Sequence, residues 1–400
     1  MVQLQAAVQD VFDRSHIAAA YQPIVDMAYG EVVAVEALAR WPRLSISPET
    51  AFSVAREAGR VDELDNACQR AALEGLRGSN LPPGFCVFVN VEPVGSVDAL
   101  TERTTGPKLM AEITERALLR DPARLLRSVA RMRDRGCGIA LDDVGAVPDS
   151  LAMLPLLAPD VIKLDISLVQ GWPDADQARI LTAVAAYSEE SGATILAEGI
   201  ESDAHYGQAL ALGATLGQGW YFSKPGPLGD YPPLRSSISW ATRRPTPPGT
   251  PFDLLDPRRL RIASKGTLLS MSHHIEAQGL SLETPPIVVG AFQTASRFTP
   301  ATARRYRQLA RRCPLVVALG ASMGAEPVEG VRGGRLGPRD ELCGQWIVLV
   351  LGAHYRGALI AKDLGDSGPD LERRFLFALT HDHQIVLDAA QMLLDNASVA

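Results

Sequence analysis

The chain has 400 residues, of which 46% are hydrophobic and 21% charged, a globular composition with room for more than one domain. A formal net charge of −7 argues against a surface built to lie along a nucleic acid polymer or an anionic membrane, so any anionic ligand needs a dedicated local site. No stretch approaches ~18 consecutive apolar residues, and the opening MVQLQAAVQDVFDRSH has no basic region followed by an apolar core, so the expectation is a soluble, cytoplasmic protein with no membrane partner.

From residue 17 to 225, β-rich runs alternate with amphipathic stretches, the pattern of βα units. Strands are predicted at 18–24, 31–37, 87–91, 108–113, 138–141, 161–164, 194–196 and 216–222, and helices at 61–77, 122–135, 175–191 and 203–212. Eight strands in this length fit a (β/α)8 barrel of the TIM type, so the fold class is α/β. The prolines and glycines between 225 and 251 sustain neither a helix nor a central strand and mark a boundary. The expected domains are 1–232, a linker at 233–252, and 253–400. The last is read as a small α/β domain with helices at 266–278 and 300–312, strands at 287–292, 315–319, 346–351 and 357–361, and a terminal helical region at 371–394. The five cysteines, Cys68, Cys86, Cys137, Cys313 and Cys343, are scattered and read as reduced.

Glu36, Asn90, Glu112, Asp142 with Asp143, Lys163, Glu198 and Gln218 each fall at the C-terminal end of a different predicted strand. In a parallel barrel those ends converge on the face where barrel enzymes keep their active sites. Taken singly, such a carboxylate is more often a solvated loop residue; seven strand ends in a row make that reading poor. Five carboxylates in one cleft repel one another and call for cations. Carboxylate and amide oxygens suit Mg²⁺ or Mn²⁺, and the absence of His and Cys from the set argues against zinc. Adjacent aspartates able to bridge ions ~4 Å apart fit two-metal hydrolysis of a phosphate ester, with Lys163 orienting or helping to deprotonate the water.

These residues sit in motifs that, in order, resemble an EAL domain, the barrel that hydrolyses the bacterial dinucleotide cyclic di-GMP to linear pGpG: YQPIVD, EALARW, FVNVEP, EITE, LDDVG, IKLD, AEGIE and GQGWYFSKP. The resemblance implies that Glu36, Asn90, Glu112 and Asp142 hold one metal, and Asp142, Asp143 and Glu198 the second. It further implies that Lys163 and Gln218 handle the attacking water, with Glu198 counted in the catalytic set. Gln22, Leu38, Arg40 and Asp165 would contact the substrate, and Glu115 and Glu201 would support a loop. It implies a first strand running opposite to the others and a homodimer formed beside the helix after that loop. Where the family has a DFGTGYSSL loop, this chain has Val147 and Pro148, which restrict the backbone and remove an amide donor. That departure supports a second reading, a receptor that holds cyclic di-GMP without appreciable turnover.

The segments KGTLLSMSHHIE, VVGAFQTASRFTPATARRYRQLA, LVVALG, LGAHYRGALIAKDLGD and RRFLFALTHDHQIVLDAAQMLL resemble the DICT domain, a sensory module found beside bacterial signalling enzymes. They name no signal. His381 and His383 flank Asp382 on a turn and are read as surface or capping groups rather than ligands; Phe292, Phe298, Tyr306, Trp346, Tyr355 and Phe375 are read as core.

Overall fold

The barrel strands are short, nearly continuous apolar runs, as strands covered on both faces are, and an inward-facing layer of Ile24, Ala34, Phe88, Met110, Ala140, Val161, Leu196 and Leu216 closes the first half of the chain into a barrel. The computed structural model describes residues 10–396 except 14–15, 45, 93–97, 102–105, 115–120, 146–150, 152, 241–246 and 354. Two compact units emerge: residues 1–117, 128–147 and 158–243, and residues 118–127, 148–157 and 244–400. Among the described residues no helix is long and apolar enough to cross a membrane.

The first unit is a closed barrel of β1 (Ala18–Asp26), β2 (Glu31–Arg40), β3 (Cys86–Asn90), β4 (Lys108–Thr114), β5 (Gly138–Val144), β6 (Val161–Leu164), β7 (Thr194–Ala197) and β8 (Leu216–Gly217). Strand β1 runs antiparallel to both β2 and β8, and the other neighbours are parallel, as the family resemblance implied. The helices of the barrel sequence are α1 (Pro48–Glu57), α2 (Val61–Glu74), α3 (Asp98–Thr101), α4 (Pro122–Asp134), α5 (Leu154–Leu157), α6 (Ile166–Gln170), α7 (Ala175–Ser191) and α8 (Asp203–Ala211). Helix α1 is an addition to the sequence reading, although its start signal is plain: Ser47 accepts from the Thr50 amide and Pro48 fills the first turn.

Strand β8 is shorter than the 216–222 expected. The reason is Gly219, where an added Cβ would lie 2.0 Å from the Ile200 carbonyl oxygen; the chain turns there, with Phe222 and Ser223 amides donating to the Gly219 carbonyl. The expected linker at 233–252 also needs correction. Ile238 is 5% exposed and joins Ile24, Phe88, Met110 and Leu196 in the barrel core, with Trp240 packed against them, so residues 238–240 belong to the barrel. We predict that Ile238→Ala will destabilise the unit by about 2–4 kcal/mol in urea denaturation, because a cavity is left among closed strands.

The second unit holds a seven-stranded mixed sheet in the order β12-β11-β10-β13-β14-β15-β9. These strands are β9 (Arg261–Ser264), β10 (Ile287–Thr294), β11 (Leu315–Ala321), β12 (Arg332–Leu336), β13 (Gln345–Leu351), β14 (Arg356–Asp363) and β15 (Arg374–Thr380). Its long helices are α9 (Lys265–Ser281), α10 (Pro300–Ala310) and α11 (His383–Asp395). Leu268, Ile275, Tyr306 and Leu309 pack on the face formed by Val288, Val316, Val348 and Leu359. The opposite positions Val289, Val317, Leu349 and Ile360 are also fully buried, so the central strands are covered on both faces. Of the aromatic set, Phe292, Tyr306, Trp346 and Phe375 are buried in the core and Phe298 and Tyr355 are half-buried against it; Phe292, Phe298 and Tyr306 meet edge to face at 5.2–5.4 Å. The region 371–394 is not one helix but β15 followed by α11, with Asp382 capping the helix through the Gln384 and Ile385 amides. His381 Nδ1 lies 2.8 Å from the Arg356 carbonyl. His354 lies outside the described residues.

Candidate active site

Each polar strand-end residue stands two positions after an inward-facing core residue. Ala34, Phe88, Met110, Ala140, Val161, Leu196 and Leu216 form the apolar layer, and Glu36, Asn90, Glu112, Asp142, Lys163, Glu198 and Gln218 form the layer beyond it. Because side chains alternate across a strand with period two, the same pleat that buries the first set aims the second at the barrel axis. Register aligns them: Asn90 pairs with Glu112, and Gln22 on the reversed β1 pairs with Glu36.

The centre is a lysine inside a ring of carboxylates. Lys163 is 1% exposed, and its Nζ lies 2.6 Å from Glu112, 2.7 Å from Glu198, 2.9 Å from Asp142 and 3.5 Å from Glu36. Two amides brace the ring: Asn90 Nδ2 donates to Glu36 Oε1 and Glu112 Oε2 at 3.1 Å each, and Gln218 Nε2 donates to Glu36 Oε2 at 2.7 Å. Asp142, Asp143 and Glu198 each bring an oxygen within 4.8 Å of the others, a grouping suited to a metal ion. Asp143 adopts φ 57°, the left-handed region that a residue with a Cβ enters at a cost.

The charges do not balance. Among the described residues five carboxylates, Glu36, Glu112, Asp142, Asp143 and Glu198, face one ammonium. Burial pushes Glu112 well above the usual carboxylate range, with repulsion from Glu36 adding to it. Burial likewise pushes Glu198 up to about 8, reinforced by Asp142 and Glu36 and opposed by Lys163. For Glu36 burial works upward too, but Lys163 and the Gln218 and Asn90 amides outweigh it and hold the group below its ordinary value. Lys163 loses from burial but gains more from Asp142, Glu112, Glu198 and Glu36, so it is held charged. A divalent cation would relieve the two raised carboxyls, and this oxygen-only set fits Mg²⁺ or Mn²⁺. Gln218 Oε1 is buried and has no hydrogen-bond partner among the described residues, an acceptor suited to a water.

The remaining expected residues are distributed around this ring. Leu38 and Arg40 follow Glu36 on the same face of β2, both half-buried, and Arg40 Nη1 donates to the Ala39 carbonyl at 2.9 Å. Gln22, half-buried, donates to the Ser223 carbonyl at 3.4 Å. Asp165 caps α6 by accepting from the Ser167 amide at 2.9 Å. Glu201 is exposed, with its backbone amide donating to His205 Nδ1. Glu115 and the 146–150 loop lie outside the described residues. Sequence reasoning passed over two apolar residues beside the site residues: Ile166, 43% exposed directly after Asp165, and Trp220, 59% exposed two residues after Gln218 with Lys224 Nζ 4.7 Å from its ring centroid. Their signal was a large apolar side chain inside an otherwise polar motif.

Fold and site together define a barrel of parallel strands, with its first strand reversed, carrying an acidic, metal-suited centre around a buried lysine. The chain belongs to the EAL domain family: residues 4–225 match the EAL domain, and residues 252–364 match DICT, described as "Sensory domain in DIguanylate Cyclases and Two-component system". It is 32% identical over 232 residues to the cyclic di-GMP phosphodiesterase RocR of Pseudomonas aeruginosa, covering 54% of this chain and 59% of that protein. It is 30% identical over 239 residues to the probable cyclic di-GMP phosphodiesterase PdeB of Escherichia coli, covering 56% of this chain and 45% of that one. The chain thus spans about half the length of these relatives. The FimX EAL domain of Pseudomonas aeruginosa, solved bound to c-di-GMP, shares the fold at a TM-score of 0.50 and 20% identity, covering 57% of this chain and 98% of that one.

Proposed function

We propose that the barrel hydrolyses cyclic di-GMP to linear pGpG and that the C-terminal domain regulates this activity. The observation that carries the reading is the over-acidic ring around Lys163, in which Glu112 and Glu198 are held above their ordinary range until positive charge arrives. Two Mg²⁺ or Mn²⁺ ions, held by Glu36, Asn90, Glu112 and Asp142 and by Asp142, Asp143 and Glu198, would supply Lewis-acid activation of water and of the phosphodiester. The chain's own residues do the rest. Gln218 Oε1 accepts a hydrogen bond from the attacking water and fixes its orientation. Lys163, held charged, serves as a donor to negative charge developing near the ring rather than as a base. Water adds across one phosphodiester, one P–O bond breaks, and the released sugar oxygen takes up a proton.

Arg40, whose Nη1 donates to the Ala39 carbonyl, would bind a substrate phosphate through its guanidinium. Arg40→Ala should raise KM about 10–100-fold, the worth of a charge-assisted hydrogen bond, and change kcat far less. Steady-state kinetics at saturating Mn²⁺ measure both; a drop confined to kcat would assign Arg40 to the chemical step. The receptor reading rests on Val147 and Pro148 in the loop after Asp143. Incubating purified protein with cyclic di-GMP and Mg²⁺ or Mn²⁺, with a chelator control, separates the two: pGpG appears if the barrel is an enzyme, and bound but intact dinucleotide remains if it is a receptor.

A further inference from the structure

A cavity of about 180 Å³ lies within the first unit where β5, β6 and β7 begin, at the other end of these strands from the carboxylate ring. Asp160 fixes its floor: the backbone amide donates to the Ile139 carbonyl at 2.7 Å, the carboxylate accepts from the Ile139 amide at 2.8 Å, and the carbonyl accepts from the Thr194 amide at 2.9 Å. Arg133 pairs with Asp160 through Nη1 at 3.0 Å and donates from Nη2 to the Ala158 carbonyl at 2.5 Å. Ala158 is held at φ 43°, a left-handed backbone that costs a residue with a Cβ and that gathers at ligand sites. Gly192 ends α7 at φ 75°, and a Cβ added there would meet nothing within 4 Å. Trp240 forms a further wall. Gly138 leaves room for it, since a Cβ at that position would lie 3.0 Å from the indole, and Lys108 Nζ is 4.9 Å from the indole ring centroid. Trp240 falls after the EAL match ends at 225 and before the DICT match begins at 252, so this wall is an addition to both families.

We propose that this cavity binds a neutral, planar, single-ring amide. Its volume sets the ring count, because a cavity of roughly 150 Å³ holds one benzene ring. Its charges disfavour ions. Arg133 is already balanced by Asp160, so an anion gains little there and meets that carboxylate, while Arg133 and the Lys108 ammonium beside Trp240 repel a cation. The half-buried indole offers a flat apolar surface on which a planar ring stacks. The polar edge suits an amide: the Pro159 carbonyl receives the Tyr187 hydroxyl only at 3.5 Å, the outer limit of a hydrogen bond, so an amide N–H takes its place and the hydroxyl donates to the amide oxygen instead.

The test uses the full chain at pH 7, with nicotinamide and uracil as neutral probes and benzoate and benzylamine as charged rings of similar size. In a ligand-observed NMR titration both neutral probes should bind at least about tenfold more tightly than either ion. Tyr187→Phe, which removes only the hydroxyl, should weaken them about fivefold. Ser239→Trp fills the cavity from its exposed rim, away from the barrel core, and should abolish binding. Mn²⁺ should change nothing, because the carboxylate ring lies at the other end of the strands. Failure of both neutral probes to bind at millimolar concentration would overturn the proposal. So would preference for a charged ring, affinity unchanged in Tyr187→Phe, binding that survives Ser239→Trp, or displacement by Mn²⁺.

Discussion

Lys163→Ala should cut kcat for cyclic di-GMP about 10²–10³-fold at saturating Mn²⁺, the range seen when one preorganised donor to developing charge is removed. The structure adds a second consequence. Lys163 Nζ is within 3.5 Å of four carboxylates, so its removal leaves the ring with no cation of its own among the described residues. Stripping one partner from a buried charge cluster costs about 3–5 kcal/mol, and metal-free protein should lose stability of that order in urea. Mn²⁺ should restore much of it, because the ions replace the missing charge and bind only the folded ring. Metal affinity should therefore hold or tighten while turnover collapses. Calorimetric Mn²⁺ titration beside kinetics checks this, and weakened metal binding with normal kcat would make Lys163 a scaffold for the ligands instead.

Much of this site could be read from spacing. Phe88 and Asn90, Met110 and Glu112, or Val161 and Lys163 are an apolar residue and a polar one two positions apart, and a parallel barrel converts that interval into a core layer and a site layer. What failed was read from composition where tertiary contacts decide. Residues 332–336, RGGRL, carry two charges and two glycines and look like a loop, yet they pair in parallel with β11 as the sheet edge. The run from 371 to 394 has apolar residues at spacings compatible with a helix, and only its pairing with β14 and β9 makes 374–380 a strand. Ile238 lies among prolines that promised a linker, and its burial depends on strands far away in sequence. Asp143's positive φ and the division of the barrel sequence between two units have no local signature at all.

Glu198→Gln should abolish hydrolysis while making the metal-free protein more stable at pH 8. The loss follows from removing a carboxylate from the Asp142, Asp143 and Glu198 grouping; metal assistance is worth several kcal/mol, so the rate should fall about 10³-fold or more. The gain follows from linkage. Burial, with Asp142 and Glu36 nearby, carries the Glu198 carboxyl from its ordinary 4.5 up to about 8. Between those values the folded protein holds a proton that the unfolded chain has released, so stability falls as pH rises through that window. An uncharged amide of similar shape has no proton to lose, and the variant should show a flatter dependence across the same window. Its melting temperature at pH 8 without metal should exceed that of the unaltered protein by on the order of 5 °C. The same protons must leave for divalent ions to bind, so Mn²⁺ affinity of the unaltered protein should rise from pH 6 to 8. Thermal melts at pH 5 and pH 8, with and without Mn²⁺, measure all of this at once. Parallel pH profiles for the two proteins would show that Glu198 is already ionised in the metal-free ring, and the charge imbalance of the ring would then have to be carried by Glu112.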